Sequence, residues 1–100
     1  MQGKDIATII IQQLGGYGKL KAMINARNMA YDDNSLSFRF SGYRKAVFCR
    51  ITLTSLDLYH MRLFKVDKYG TIKTAFELGG MYNDMLIPVF ESATGLRLSL

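Results

Sequence analysis

From Leu36 to Leu78 the chain repeats every two residues and is punctuated by short turn clusters, and this limits the fold more than any other feature of the sequence. Leu36, Phe38 and Phe40 alternate with Ser37 and Arg39. Val47, Cys49, Ile51 and Leu53 alternate with Phe48, Arg50 and Thr52, and Tyr59, Met61 and Leu63 with His60, Arg62 and Phe64. Ile72, Thr74, Phe76 and Leu78 alternate with Lys73, Ala75 and Glu77. Successive side chains of a strand point to opposite faces, so each run reads as a strand with one face in a core and the other in water. The connections at Ser41–Arg44, Ser55–Asp57 and Asp67–Gly70 are short, which implies antiparallel neighbours in a meander.

Both ends of the chain change period. Ile6, Ile9, Ile10 and Leu14 fall on one helical stripe, with Asp5 as a candidate cap and Gly15 as the stop. Tyr82, Met85, Leu86, Val89, Phe90 and Ala93 form a second helical pattern, which Gly95 ends. Gly79-Gly80 is expected to break the last strand. Pro88 lies inside the second pattern, where a missing amide predicts a kink or break. The stretch from Leu20 to Met29 fits neither period, whereas Asp32-Asp33-Asn34 is turn chemistry. The expectation is an α+β fold: a four-stranded antiparallel meander flanked by an N-terminal and a C-terminal helix, forming one domain over residues 1–100.

Composition agrees with a folded domain. The chain has 100 residues, 49% of them hydrophobic, a length that supports one core. Its single cysteine, Cys49, excludes an internal disulfide and suits a reducing, cytoplasmic setting, and one Cys with one His leaves no four-ligand zinc site. The apolar run Ile9–Ile11 is too short for a signal-peptide core or a membrane span. No cofactor or membrane partner is expected. Lys and Arg outnumber Asp and Glu by 13 to 8, a net charge of +5, which favours anionic partners.

Several segments in order carry a resemblance: Gln13-Leu14-Gly15-Gly16, Asp33-Asn34-Ser35-Leu36-Ser37-Phe38-Arg39, Arg50-Ile51-Thr52-Leu53, Asp57-Leu58-Tyr59-His60-Met61, and Ala93-Thr94-Gly95-Leu96-Arg97-Leu98-Ser99-Leu100. Together they resemble a family of small uncharacterised proteins encoded by bacteriophages and prophages. Members of that family often carry Thr-Gly where this chain has Ile24-Asn25. The resemblance implies a genomic setting, a phage or mobile element acting inside a bacterium, and brings no catalytic residues.

Enzyme chemistries find little footing. A Cys49–His60 nucleophile pair fails on parity, because Cys49 belongs to the apolar side of its strand and His60 to the polar side of the next. The acids are scattered, Gly15-Gly16-Tyr17-Gly18 follows a helix end where a phosphate cradle would precede a helix, and no Gly-x-Ser-x-Gly elbow occurs. No catalytic or metal-binding residues are assigned.

The remaining signal is the outward face of the meander, where Arg39, Phe48, Arg50, His60, Arg62, Phe64 and Lys73 mix cations with aromatic rings. Such a face suits phosphates and stacked bases, unless a helix or the tail covers it. The favoured function is non-enzymatic, stoichiometric binding, to nucleic acid or a nucleoprotein. Inhibition of a host protein is one alternative. Another is a homo-oligomeric structural or assembly role, with Ile11, Leu96, Leu98 and Leu100 as the interaction surface.

Overall fold

The computed structural model describes residues 3–98. Helix α1 spans Gly3–Gln13 and buries Ile6, Ala7 and Ile10. Its end is a Schellman turn: the Gly16 amide donates to the Ile11 carbonyl at 2.9 Å and the Gly15 amide to Gln12 at 3.1 Å. Both glycines have φ near +100°, a region L side chains enter at a cost. Asp5 sits within the first turn of α1, where its charge suits the helix dipole.

Helix α2, Tyr17–Ile24, resolves the first half of the stretch with neither period and buries Leu20 and Ile24. Asn25 caps it in the left-handed region, φ 54°, with its amide donating to the Lys21 carbonyl at 3.1 Å. Asn is among the few residues that tolerate this conformation, and the position is one a glycine would fill readily.

Strands β1 (Arg27–Tyr31), β2 (Ser35–Arg39), β3 (Phe48–Leu53), β4 (Tyr59–Val66) and β5 (Ile72–Met81) follow, all antiparallel, in the spatial order β1-β2-β3-β4-β5. The meander therefore has five strands where the alternation predicts four. The extra strand, β1, escapes a period-two reading because its pairing with β2 is irregular between Arg27 and Ala30, where Asn28 has φ 55°.

Strand β5 also departs from expectation. It continues through Gly79-Gly80 to Met81, with an irregularity opposite Tyr59–Met61. A second irregularity lies where Leu63 pairs with Phe76 but Phe64 pairs with Thr74, leaving Ala75 as the extra residue. A bulge of this kind exchanges the two faces of the strand on either side of it.

The second helical pattern is shorter than predicted. Asn83–Met85 is a single 3₁₀ turn, helix α3 spans Leu86–Thr94, and Tyr82 is 65% exposed. Pro88 falls in the first turn of α3, where amides have no partner inside the helix, and the expected break in the helical pattern comes just before it, where the 3₁₀ turn gives way to α3 at Leu86.

The helices deliver their apolar sides to one face of the sheet. Ile10, Leu14, Leu20, Leu86 and Phe90 join Leu36, Phe38, Cys49, Ile51, Met61 and Leu63 in a single buried cluster. Phe40 bridges the layers, with ring centroids 6.4 Å from Phe38 and 5.4 Å from Phe90 in edge-on contact. The N-terminus of α1 meets the β1–β2 turn so closely that a Cβ on Gly3 would run into the Asp32 carbonyl. Among the described residues no helix is long and apolar enough to cross a membrane.

Candidate nucleic-acid interface

The helices occupy the inner face, and the outward side chains stay outside the core. Phe48 and Phe64 do not join the buried cluster, and Phe48, His60, Arg62 and Phe64 are half-buried among their neighbours. Covering by a helix, the competing expectation for these rings, does not occur among the described residues.

Strand register sets this face out in rows, because directly paired residues of antiparallel strands share a face. The first row runs Arg27–Arg39–Phe48–Phe64–Thr74 across all five strands. The second runs Ala30–Ser37–Arg50–Arg62–Glu77, and a third pairs Thr52 with His60.

At the centre of the first row the Phe48 and Phe64 rings stack, centroids 5.3 Å apart and 16° from parallel. The Arg39 guanidinium lies over Phe48 at 5.4 Å and that of Arg62 over Phe64 at 5.3 Å. Arg62 Nε also donates to the Thr74 hydroxyl at 2.9 Å. Cation–π contact holds each guanidinium while leaving donors for an incoming anion. Neither arginine meets a carboxylate among the described residues.

Elsewhere on the face the charges are answered internally. Arg50 Nη2 donates to Asp32 Oδ2 at 2.6 Å, and His60 Nε2 lies 2.9 Å from Glu77 Oε2. Asp32 also accepts from the Ser35 hydroxyl at 2.7 Å and the Asn34 amide at 3.1 Å. The Ser35 hydroxyl above all, then the Asn34 amide, with a smaller share from Arg50, hold the Asp32 carboxyl below the usual carboxylate range.

Of the residues the sequence groups on this face, Arg39, Phe48, Arg50, His60, Arg62 and Phe64 are brought together. Lys73 is not. The bulge at Ala75 pairs Lys73 with Lys65, on the opposite face from Phe64, and turns Ile72 and Thr74 outward beside Val66 and Phe64. Arg27 joins the face although sequence reasoning overlooks it, because the strand carrying it has no clear period. Its Nη1 donates to the Asn25 carbonyl at 2.9 Å and the Ser41 hydroxyl at 3.0 Å.

The meander also sorts charge by end. The β1–β2, β3–β4 and β5–α3 connections share one end and carry Asp32, Asp33, Asp57 and Asp84, with no Lys or Arg among residues 32–34, 54–58 and 82–85. The other end gathers Arg27, Arg39, Arg44, Lys45, Lys65, Lys68 and Lys73 from loops and strand termini, with the single acid Asp67. Asp67 is engaged by its own turn, accepting from the Tyr69 amide at 2.8 Å and the Thr71 amide at 2.9 Å. The first row lies toward this basic end. Alternate connections of a meander lie at the same end, a signal that turn-by-turn charge counting would have found in the sequence.

The other sequence candidates fall elsewhere. Cys49 is fully buried on the inner face and its burial pushes the thiol pKa up, whereas His60 is on the outward face, so the sheet separates the pair. The interaction surface of apolar residues is largely taken by the chain itself. Leu98 is fully buried, with its amide donating to Glu91 Oε2 at 2.7 Å, and Ile11 and Leu96 pack against the same core. Leu100 lies outside the described residues.

Compared with known proteins, the chain matches no family model, no curated protein and no solved structure.

Proposed function

We propose that this chain is a non-enzymatic, stoichiometric binder of nucleic acid, acting through the outward face of its sheet. The observation that carries the reading is the guanidinium–ring–ring–guanidinium array of Arg39, Phe48, Phe64 and Arg62 on the outward face beside the basic end of the meander, with Arg39 exposed and the other three half-buried. Binding to a phosphate backbone draws on cations without internal carboxylate partners, and base contact draws on exposed rings. Arg39, Phe48 and Phe64 stand in one row, and Arg62 reaches Phe64 from the row beside it. The chain's excess of 13 Lys and Arg over 8 Asp and Glu is concentrated where that row lies. The setting, a phage or mobile element inside a bacterium, rests on the sequence resemblance alone.

Fluorescence anisotropy with labelled nucleic acid, from low to near-physiological salt, tests the reading. Affinity is expected to fall with salt, with a log–log slope of about −0.7 for each single-strand phosphate neutralised. Arg39→Glu combined with Arg62→Glu is expected to abolish binding while the protein stays folded. Absence of binding at low salt, or unchanged binding in the double variant, overturns it.

A further inference from the structure

Resting on that reading, we infer that the ligand is a single strand lying across the β-strands along the row Arg27–Arg39–Phe48–Phe64–Thr74, and that the Arg50–His60 half of the same face takes no part. Three observations carry this. The row is continuous through all five strands, each member being the register partner of the next. Four inter-strand spacings make it about 19 Å long, room for a short run of nucleotides, about four, at the lower end of single-strand site sizes.

The second observation is electrostatic. Along this row no carboxylate intervenes, while in the neighbouring rows Arg50 is held by Asp32 at 2.6 Å and His60 by Glu77 at 2.9 Å. A phosphate arriving at Arg50 would have to displace Asp32, which Ser35 and Asn34 hold in place, and would meet the acidic end of the sheet. The charge gradient between the two ends therefore places the strand at the Arg39 side.

The third is geometric. Phe48 and Phe64 turn one face to each other, so a base reaches only the outer faces now covered by Arg39 and Arg62. A base that takes the place of a guanidinium on its ring frees that guanidinium for the adjoining phosphate. Only an unpaired base can do so, since in a duplex its faces are already stacked. The helices bury their apolar sides on the inner face, so among the described residues no helix lies on the outward one to enter a major groove.

Anisotropy titrations of the whole chain compare an octamer of deoxythymidine, the corresponding octamer of uridine and a mixed-sequence duplex, with Arg27→Ala, Arg39→Ala, Phe48→Leu and Arg50→Ala. Thermal unfolding of each variant reports on folding. The expected result is a single-strand preference, losses of about tenfold for Arg39→Ala and Phe48→Leu, a smaller loss for Arg27→Ala, and no more than about twofold for Arg50→Ala. Phe48→Leu retains apolar bulk, so its loss reports stacking. Duplex preference, or a loss at Arg50→Ala as large as at Arg39→Ala, overturns the row assignment and leaves nucleic-acid binding standing. No binding of any probe overturns both.

Discussion

The two faces of this sheet are made from neighbouring residues of the same strands, yet they are held together by different physics. On the inner face Phe38, Ile51, Met61 and Leu63 are closed to water and bound by burial, which is non-directional and scales with area. On the outward face, residues one position away, Arg39, Arg50, Phe48, Arg62 and Phe64, meet through oriented contacts: a ring stack, two cation–π pairs and a salt bridge. Each of those contacts is worth about 1.5 kcal/mol or less. The lesson is that one face supplies the stability and the other is at liberty to be shaped by what it binds.

The largest expected effect separates the faces directly. Phe38→Ala should lower stability by about 3–5 kcal/mol through a cavity among Phe40, Leu36 and the helices, as read by urea unfolding. Phe48→Ala, on the other face, should cost only about 1–2 kcal/mol, the stack with Phe64 plus partial burial. Equal losses at the two sites would mean that the outward face is covered in solution.

A smaller effect sharpens the geometry of the face itself. Lys73→Ala should weaken nucleic-acid binding by no more than about twofold, because the bulge at Ala75 puts it beside Lys65 and away from Phe64, so only its long-range charge counts. A loss at Lys73→Ala as large as at Arg39→Ala would argue that the alternation runs unbroken through β5.

The smallest effect concerns pH. Asp32 has its folded pKa depressed, so the stability it contributes is present above its unfolded value near 3.8 and is lost as pH falls through the folded value. Asp32→Asn should therefore lower stability at neutral pH, where the ionised carboxylate contributes, and converge with the unmodified protein below about pH 4, which flattens the acid limb of the stability–pH curve. An acid limb identical to that of the unmodified protein would remove Asp32 from this role.

Much of the fold is legible in the residues. Alternation from Leu36 onward places Phe38, Cys49, Ile51, Met61 and Leu63 in the core, and Gly15 and Gly95 mark helix ends that the structure keeps. The misses share a cause. Arg27–Tyr31, Lys73 and Ile72 sit beside bulges, where one extra residue shifts the period, and a period-two reading has no means of seeing an insertion without the partner strand. The place of Pro88 within its helix is settled by a different feature. The helical pattern of Tyr82–Ala93 does not reveal that the first three residues after Tyr82 form a 3₁₀ turn, which moves the proline to a position where it is harmless.

Residue order alone determines that this chain forms an antiparallel meander with an apolar-striped helix at each end, because hydrophobic period and turn chemistry are local properties; that the helices share one face of the sheet is decided by packing. Which cations stand together is decided only in three dimensions. Arg27, Arg39 and Arg62 are separated by many residues along the chain and become neighbours through strand pairing, and the bulge at Ala75 exchanges Lys73 for Thr74 on their face. Charge is long-ranged and depends on position in space, so the charges that alternate connections carry along the sequence act as a basic and an acidic end once the strands have paired.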